Sequence, residues 1–143
     1  MRHPKDIGDQ STLAIMLALH AQGYAVYTPF GENTRADLII DNGARLTRIQ
    51  CKTGRLRNGS VIFRTASSYA HHRNPRVRQS SYHGQIDEFA VFCPELGAIY
   101  LVPIEDVDTQ HCALLRVLQG WPGRCLQAAG LRLPGGGLLA PDL

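Results

Sequence analysis

Three residues of this 143-residue chain, Asp37, Gln50 and Lys52, have side chains and spacing suited to acting together on a phosphate. Hard divalent cations such as Mg²⁺ take oxygen ligands, commonly one or two carboxylates with water and a substrate phosphate completing the shell. Asp37 offers a carboxylate oxygen and Gln50 an amide oxygen. A lysine beside them, here Lys52, can orient or help deprotonate an attacking water, or stabilise charge building on the phosphate. The spacing alone suits a plain ion pair better, Asp37 with Arg48 or with Lys52 across an exposed sheet face.

Positioning these groups falls to a hairpin. Residues 36–41 and 45–52 read as two strands joined across Asp41-Asn42-Gly43-Ala44, where Asn-Gly is the strongest short hairpin signal. A two-residue Asn-Gly loop sets Asp41 opposite Ala44 and Asp37 opposite Arg48. Side chains alternate along a strand, so Asp37, Arg48, Gln50 and Lys52 share one face. Leu38, Ile40, Thr47, Ile49 and Cys51 share the other and form the expected core face. Gln50 is then a diagonal neighbour of Asp37 at roughly 7 Å, with Lys52 roughly 6–7 Å further along.

Around the hairpin, residues 5–22 predict a helix that Pro4 opens and Gly23 closes, followed by a short strand at 24–28. A turn at Arg57-Asn58-Gly59 leads to a strand at 60–64. Residues 65–84, polar and aperiodic with one proline, predict a long surface loop. A second hairpin joins 86–92 to 98–103 around Pro94-Glu95-Leu96-Gly97, then come a helical turn at 104–107 and a strand at 113–118. From about residue 119 the chain is rich in Gly and Pro and carries no clear element signal. The length suits a single domain, 1–143, and the order of elements a mixed sheet flanked by helical elements, of the α/β or α+β class.

Charge is segregated along the chain. Residues 42–86 hold nine basic residues and no acid, a charge of +9, between segments of −2 and −4. So many uninterrupted positives call for an anionic partner, and eight of the nine are arginine, whose planar fork suits phosphate. No apolar run reaches the roughly 18 residues of a membrane span. The opening MRHPKDIGDQ lacks the apolar stretch of a signal peptide, which predicts a cytoplasmic protein. Cys51, Cys93, Cys112 and Cys125 stand far apart without a CxxC pair, so neither a disulfide framework nor structural zinc is expected.

Asp37 followed after a hairpin by Gln50-Cys51-Lys52 resembles the second half of the PD-(D/E)XK nuclease motif. Ile7-Gly8-Asp9, Pro29-Phe30-Gly31-Glu32-Asn33, Arg35-Ala36-Asp37-Leu38-Ile39-Ile40 and Arg48-Ile49-Gln50-Cys51-Lys52-Thr53-Gly54 extend the likeness. With Tyr82-His83-Gly84-Gln85-Ile86-Asp87, Phe89-Ala90-Val91, Cys93-Pro94-Glu95-Leu96 and Tyr100-Leu101-Val102-Pro103, the chain resembles group I intron-associated PD-(D/E)XK homing endonucleases. The resemblance implies a restriction-endonuclease-like α/β core and Mg²⁺-dependent cutting of double-stranded DNA by a homo-oligomer, a dimer or tetramer, with Mn²⁺ as an alternative metal. It implies that Asp37, Gln50 and the backbone carbonyl of Cys51 hold the metal and that Lys52 is the catalytic lysine.

The first helix of such nucleases commonly adds a Glu, and the matching position here is Thr12. Asp9, one turn earlier, could substitute, or could simply favour the helix dipole as a first-turn acid. The nucleic-acid contacts expected are Arg55, Arg57, Arg73, Arg76, Arg78 and Tyr82, with Tyr69 nearby. Two other functions share these features. One is a degenerate nuclease fold that binds DNA without cutting, and the other is a nuclease-like protein acting on RNA or branched DNA.

Overall fold

The computed structural model of the chain describes residues 3–31, 33–68, 79–81, 84–107, 112–116 and 124–127. It opens with helix α1 (Pro4–Ala21). Pro4 sits in the first turn, where its missing N–H costs nothing, and the His3 side chain accepts a hydrogen bond from the Lys5 amide. At the other end Gly23 takes φ +94°, and the Tyr24 N–H reaches back to the Leu19 carbonyl. Between these limits Ser11, Ala14, Ile15, Ala18 and Leu19 recur at helical spacing and are buried.

Eleven strands follow among the described residues: β1 (Ala25–Tyr27), β2 (Leu38–Asp41), β3 (Leu46–Thr53), β4 (Arg55–Arg57), β5 (Ser60–Arg64), β6 (Ala66–Ser68), β7 (Gln79–Ser81), β8 (Glu88–Cys93), β9 (Ala98–Pro103), β10 (Cys112–Arg116) and β11 (Arg124–Gln127). The principal sheet has the order β1-β2-β3-β8-β9-β11. It is mixed, as expected, because β3 and β8 run parallel while every other neighbouring pair is antiparallel. A smaller sheet has the order β10-β5-β4. A turn of 3₁₀ helix at Ile104–Asp106 follows β9.

Two cores flank the principal sheet. On one face α1 buries Ala14, Ile15, Ala18 and Leu19 against Leu38, Ile40, Ile49, Cys51, Ala90 and Phe92. Full burial of a residue such as Ile15 or Leu19 contributes about 1.5–3 kcal/mol. On the other face Phe89, Val91, Tyr100 and Val102 meet Val61 and Phe63 of β5. Phe63 and Phe89 pack edge to face with centroids 5.4 Å apart. The flanking layer on this side is therefore the small sheet, and α1 is the one helix of the α type among the described residues.

The first hairpin carries a correction. Asp41 pairs with Leu46 and Leu38 with Ile49, so the loop spans four residues and the register is shifted by two from the expected one. Asp41 Oδ1 accepts from the Gly43 amide, while Asn42 Oδ1 accepts from the amides of Ala44 and Arg45. These side-chain bonds satisfy the loop backbone and hold it open where a two-residue turn would have closed it. A shift of two preserves the alternation, so Thr47, Ile49 and Cys51 still face the core and Arg48, Gln50 and Lys52 still face away.

Further differences lie in the second half of the chain. The expected loop at 65–84 contains a paired ladder, β6 on β7. Tyr69, Arg73, Arg76, Arg78 and Tyr82 lie outside the described residues. The strand expected at 113–118 is β10, which completes the small sheet. β11, in the tail without an element signal, pairs with β9. Among the described residues no helix is long and apolar enough to cross a membrane.

Gly54 links β3 to β4 at a point where the sheets touch. A Cβ at this position would lie 2.5 Å from Val61 Cγ1 and 2.8 Å from Val91 Cγ1, and both valines are fully buried. Gly54→Ala is expected to destabilise the protein by about 1–3 kcal/mol, read as a lowered calorimetric Tm, because neither valine can give way without disturbing the second core.

Candidate active site

The site forms where β2 runs out. Its ladder on β3 ends at Leu38 opposite Ile49, and the Asp37 amide still donates to the Ile49 carbonyl at 2.8 Å. Two residues further along β3 the Cys51 amide points to the same side and finds no strand. It donates instead to Asp37 Oδ2 at 2.9 Å. Asp37 therefore stands opposite Gln50 in the register, closer than the diagonal placement expected from the sequence. Lys52 follows on the same face of β3, and its charge acts on the Asp37 carboxylate.

Burial pushes the Asp37 carboxyl above the ordinary carboxylate range, opposed by the Cys51 amide and the Lys52 charge. The structure thus brings the three residues of the sequence triplet together. Gln50 Oε1 is buried and has no hydrogen-bond partner among the described residues. An unsatisfied buried acceptor costs about 1–3 kcal/mol. A hard cation beside Asp37 would relieve that cost, so the oxygens present fit the expected metal.

A residue's N–H and C=O point the same way from an extended strand, so the Cys51 carbonyl also faces the Asp37 side. The Cys51 thiol faces the α1 core. Burial, with the Asp37 charge behind it, pushes this thiol far above its ordinary range, against a hydrogen bond with Thr12. It stays protonated, and the oxygen that residue 51 can offer is its carbonyl.

Helix α1 reaches the same place. Thr12 contacts Cys51 and donates from Oγ1 to the Gly8 carbonyl at 3.1 Å. Buried Ser11 shares a 2.5 Å hydrogen bond with Thr53, directly after Lys52. This Ser-Thr contact, which pins the helix to the end of β3, was invisible in the sequence because both residues look like ordinary polar positions. Asp9 is exposed on α1. Among the described residues no group of three or more His, Cys, Asp or Glu could hold a metal ion.

Arg48, expected opposite Asp37, is committed elsewhere. Its Nη2 and Nε meet Asp87 Oδ1 and Oδ2 at 3.1 and 3.2 Å, and its amide meets Asp87 Oδ2 at 2.7 Å. The Asp87 amide donates back to the Arg48 carbonyl. The alternative pairing of Asp37 with Arg48 is thereby excluded. Arg55 and Arg57, just past Lys52, are exposed on β4.

A chain whose Asp37 carboxyl is raised binds more protons folded than unfolded near that group. Its ionisation costs stability as pH rises from about 4 to the folded value, above which the difference stays constant. In EDTA, Asp37→Asn is therefore expected to be at least as stable as wild type at pH 4 and more stable than wild type at pH 7. Urea unfolding across that range checks it, and a variant less stable at pH 7 would contradict the burial argument.

A sequence profile of PD-(D/E)XK endonucleases matches residues 2–120. Among solved structures the chain is similar to a bacterial homing endonuclease, I-Ssp6803I, with a TM-score of 0.68 and 22% identity over 80% of this chain and 78% of that one. No curated protein matches it.

Proposed function

Because this chain belongs to the PD-(D/E)XK endonuclease family, we propose that it is a Mg²⁺-dependent nuclease that hydrolyses phosphodiester bonds in double-stranded DNA. The observation that carries the reading is the buried Gln50 Oε1, without a hydrogen-bond partner among the described residues, on the face it shares with Asp37 and Lys52. The metal would be held by Asp37 Oδ, Gln50 Oε1 and the Cys51 carbonyl, with Mn²⁺ as an alternative. When bound it would polarise the phosphate and acidify a water.

The chain's own groups do the rest. Asp37, fixed by the Cys51 amide, holds its carboxylate in one orientation without a conformational search. The Lys52 ammonium donates to a non-bridging phosphate oxygen and orients the attacking water. A P–O bond forms from that water as the bridging P–O bond opposite it breaks; the water gives up a proton to solvent, and the departing oxygen takes one from solvent to leave as a hydroxyl. Arg55 and Arg57 hold neighbouring phosphates. Arg73, Arg76, Arg78 and Tyr82 are proposed to extend that contact. A homing role and assembly into a dimer or tetramer are also proposed, since two strands must be cut; the similar solved structure is of a bacterial homing endonuclease.

One observation favours a second reading. Among the described residues the site holds a single carboxylate, with Thr12 in place of a helix Glu and Gln50 in place of a strand acid. A fold of this kind could bind DNA without cutting it. Cleavage of a mixed duplex library with Mg²⁺, Mn²⁺ or EDTA decides between them. Metal-dependent cutting by wild type, lost by at least about a hundredfold in Lys52→Ala with binding retained, is the expected result. Binding without cutting under every metal would establish the second reading.

Thr12 already reaches Cys51, so a carboxylate there would stand near Asp37. Thr12→Glu is expected to lower the Mg²⁺ concentration for half-maximal cutting on the order of tenfold, because ligand charge count sets affinity. An unchanged or higher requirement would show that position 12 does not reach the metal.

A further inference from the structure

Alternation along the β4–β5 hairpin gathers charge on one side. Arg55 pairs with Ile62 and Arg57 with Ser60, so Arg55, Arg57, Ser60, Ile62 and Arg64 share a face. Leu56, Val61 and Phe63 leave by the opposite face into the second core. All three arginines are exposed. At roughly 3.3 Å per residue they spread over roughly 13 Å.

This face forms one wall of a cleft of about 650 Å³. The other wall is the start of α1, at Ile7 and Gly8, and Thr53 lies between the two. Asp6 and Asp9 of the same helix do not line it. The cleft therefore combines three cations, an apolar floor from Ile7 and Ile62, and an end at Thr53, one residue from Lys52.

Gly8 adds an independent observation. A Cβ built on it would meet nothing within 4 Å. Glycine inside a helix is less stable than alanine, and no neighbour among the described residues requires it here. A bare backbone on a cleft wall suits a ligand that approaches closely.

We infer that the cleft between Gly8 and the arginine face of β4–β5 holds the sugar-phosphate backbone of the DNA strand adjoining the phosphate to be cut. Arg55, Arg57 and Arg64, spaced roughly 6.6 Å apart along the face, would meet phosphates of one strand. The apolar floor would meet deoxyribose, and the strand would pass over Gly8. Arg64 becomes a binding residue and Gly8 a close-approach position. The inference rests on the nuclease reading above.

Binding of a fluorescein-labelled DNA duplex, followed by anisotropy over a range of salt, tests it with wild type, Arg64→Gln, Gly8→Ala and Arg45→Gln. Arg45 lies on the exposed β2–β3 loop and controls for loss of one charge. Arg64→Gln is expected to weaken binding about fivefold and flatten the log–log salt slope by about 0.9, with Arg45→Gln close to wild type. Gly8→Ala is expected to keep a Tm at or above wild type while binding about threefold or more weakly. If Arg64→Gln matches Arg45→Gln, or Gly8→Ala binds as wild type, the cleft assignment is overturned while the nuclease reading stands. A wild-type protein that binds no duplex overturns both.

Discussion

Everything in the site depends on where the Cys51 amide sends its hydrogen bond. β2 stops at Leu38, and a continuing strand would have taken that N–H with a backbone carbonyl. Asp37 Oδ2 takes it instead, at 2.9 Å. One bond thus satisfies a sheet amide, ends a strand and fixes a carboxylate next to Gln50 and Lys52. The carboxylate remains partly desolvated, and its raised proton affinity records that cost. A site of this kind is less stable than the same fold without it, as strained or desolvated groups at candidate sites commonly are.

Two acids at the two ends of β3 illustrate opposite uses of the same chemistry. Asp87 is held well below the ordinary carboxylate range by the Arg48 guanidinium, with the Arg48 amide adding to it. It locks the one parallel strand pair of the principal sheet, β3 on β8, and its contribution is lost only as pH falls through its lowered value. Asp37, at the open end, is raised by burial and weakens the fold when it ionises. Asp87 has an arginine to itself, whereas Asp37 stands beside a buried amide oxygen without a partner among the described residues. The segregated positive charge of residues 42–86 fits that division, since Arg48 is spent internally while Arg55, Arg57 and Arg64 stay exposed.

Much of this was legible in the residues. The strand alternation that separates Ile49 and Cys51 from Gln50 and Lys52 survived the wrong loop length, because period-two patterns are insensitive to a slip of two. The loop length itself was not legible, since Asn-Gly signals a tight turn and the competing bonds from Asp41 and Asn42 side chains become visible only in three dimensions. β4 was hidden because Arg55-Leu56-Arg57 is three residues long and mostly charged, and β11 because the glycines and prolines around it dominate its composition. The Arg48–Asp87 clamp joins residues 39 apart in sequence, and no local pattern announces it. The triplet's side chains alone left an ion pair open, and it was the resemblance to PD-(D/E)XK nucleases that singled them out, whereas the cleft beside it could be seen only once α1 and β5 were in place.

The central claim is that the buried amide oxygen of Gln50 awaits a cation shared with Asp37. Calorimetric titration of Mn²⁺ into the full chain, wild type against Gln50→Ala and Gln50→Glu, tests it most directly. Binding that is lost in Gln50→Ala and strengthened in Gln50→Glu is the predicted result. Equal Mn²⁺ binding by all three proteins would contradict it, because the metal would then be held somewhere other than the end of β3.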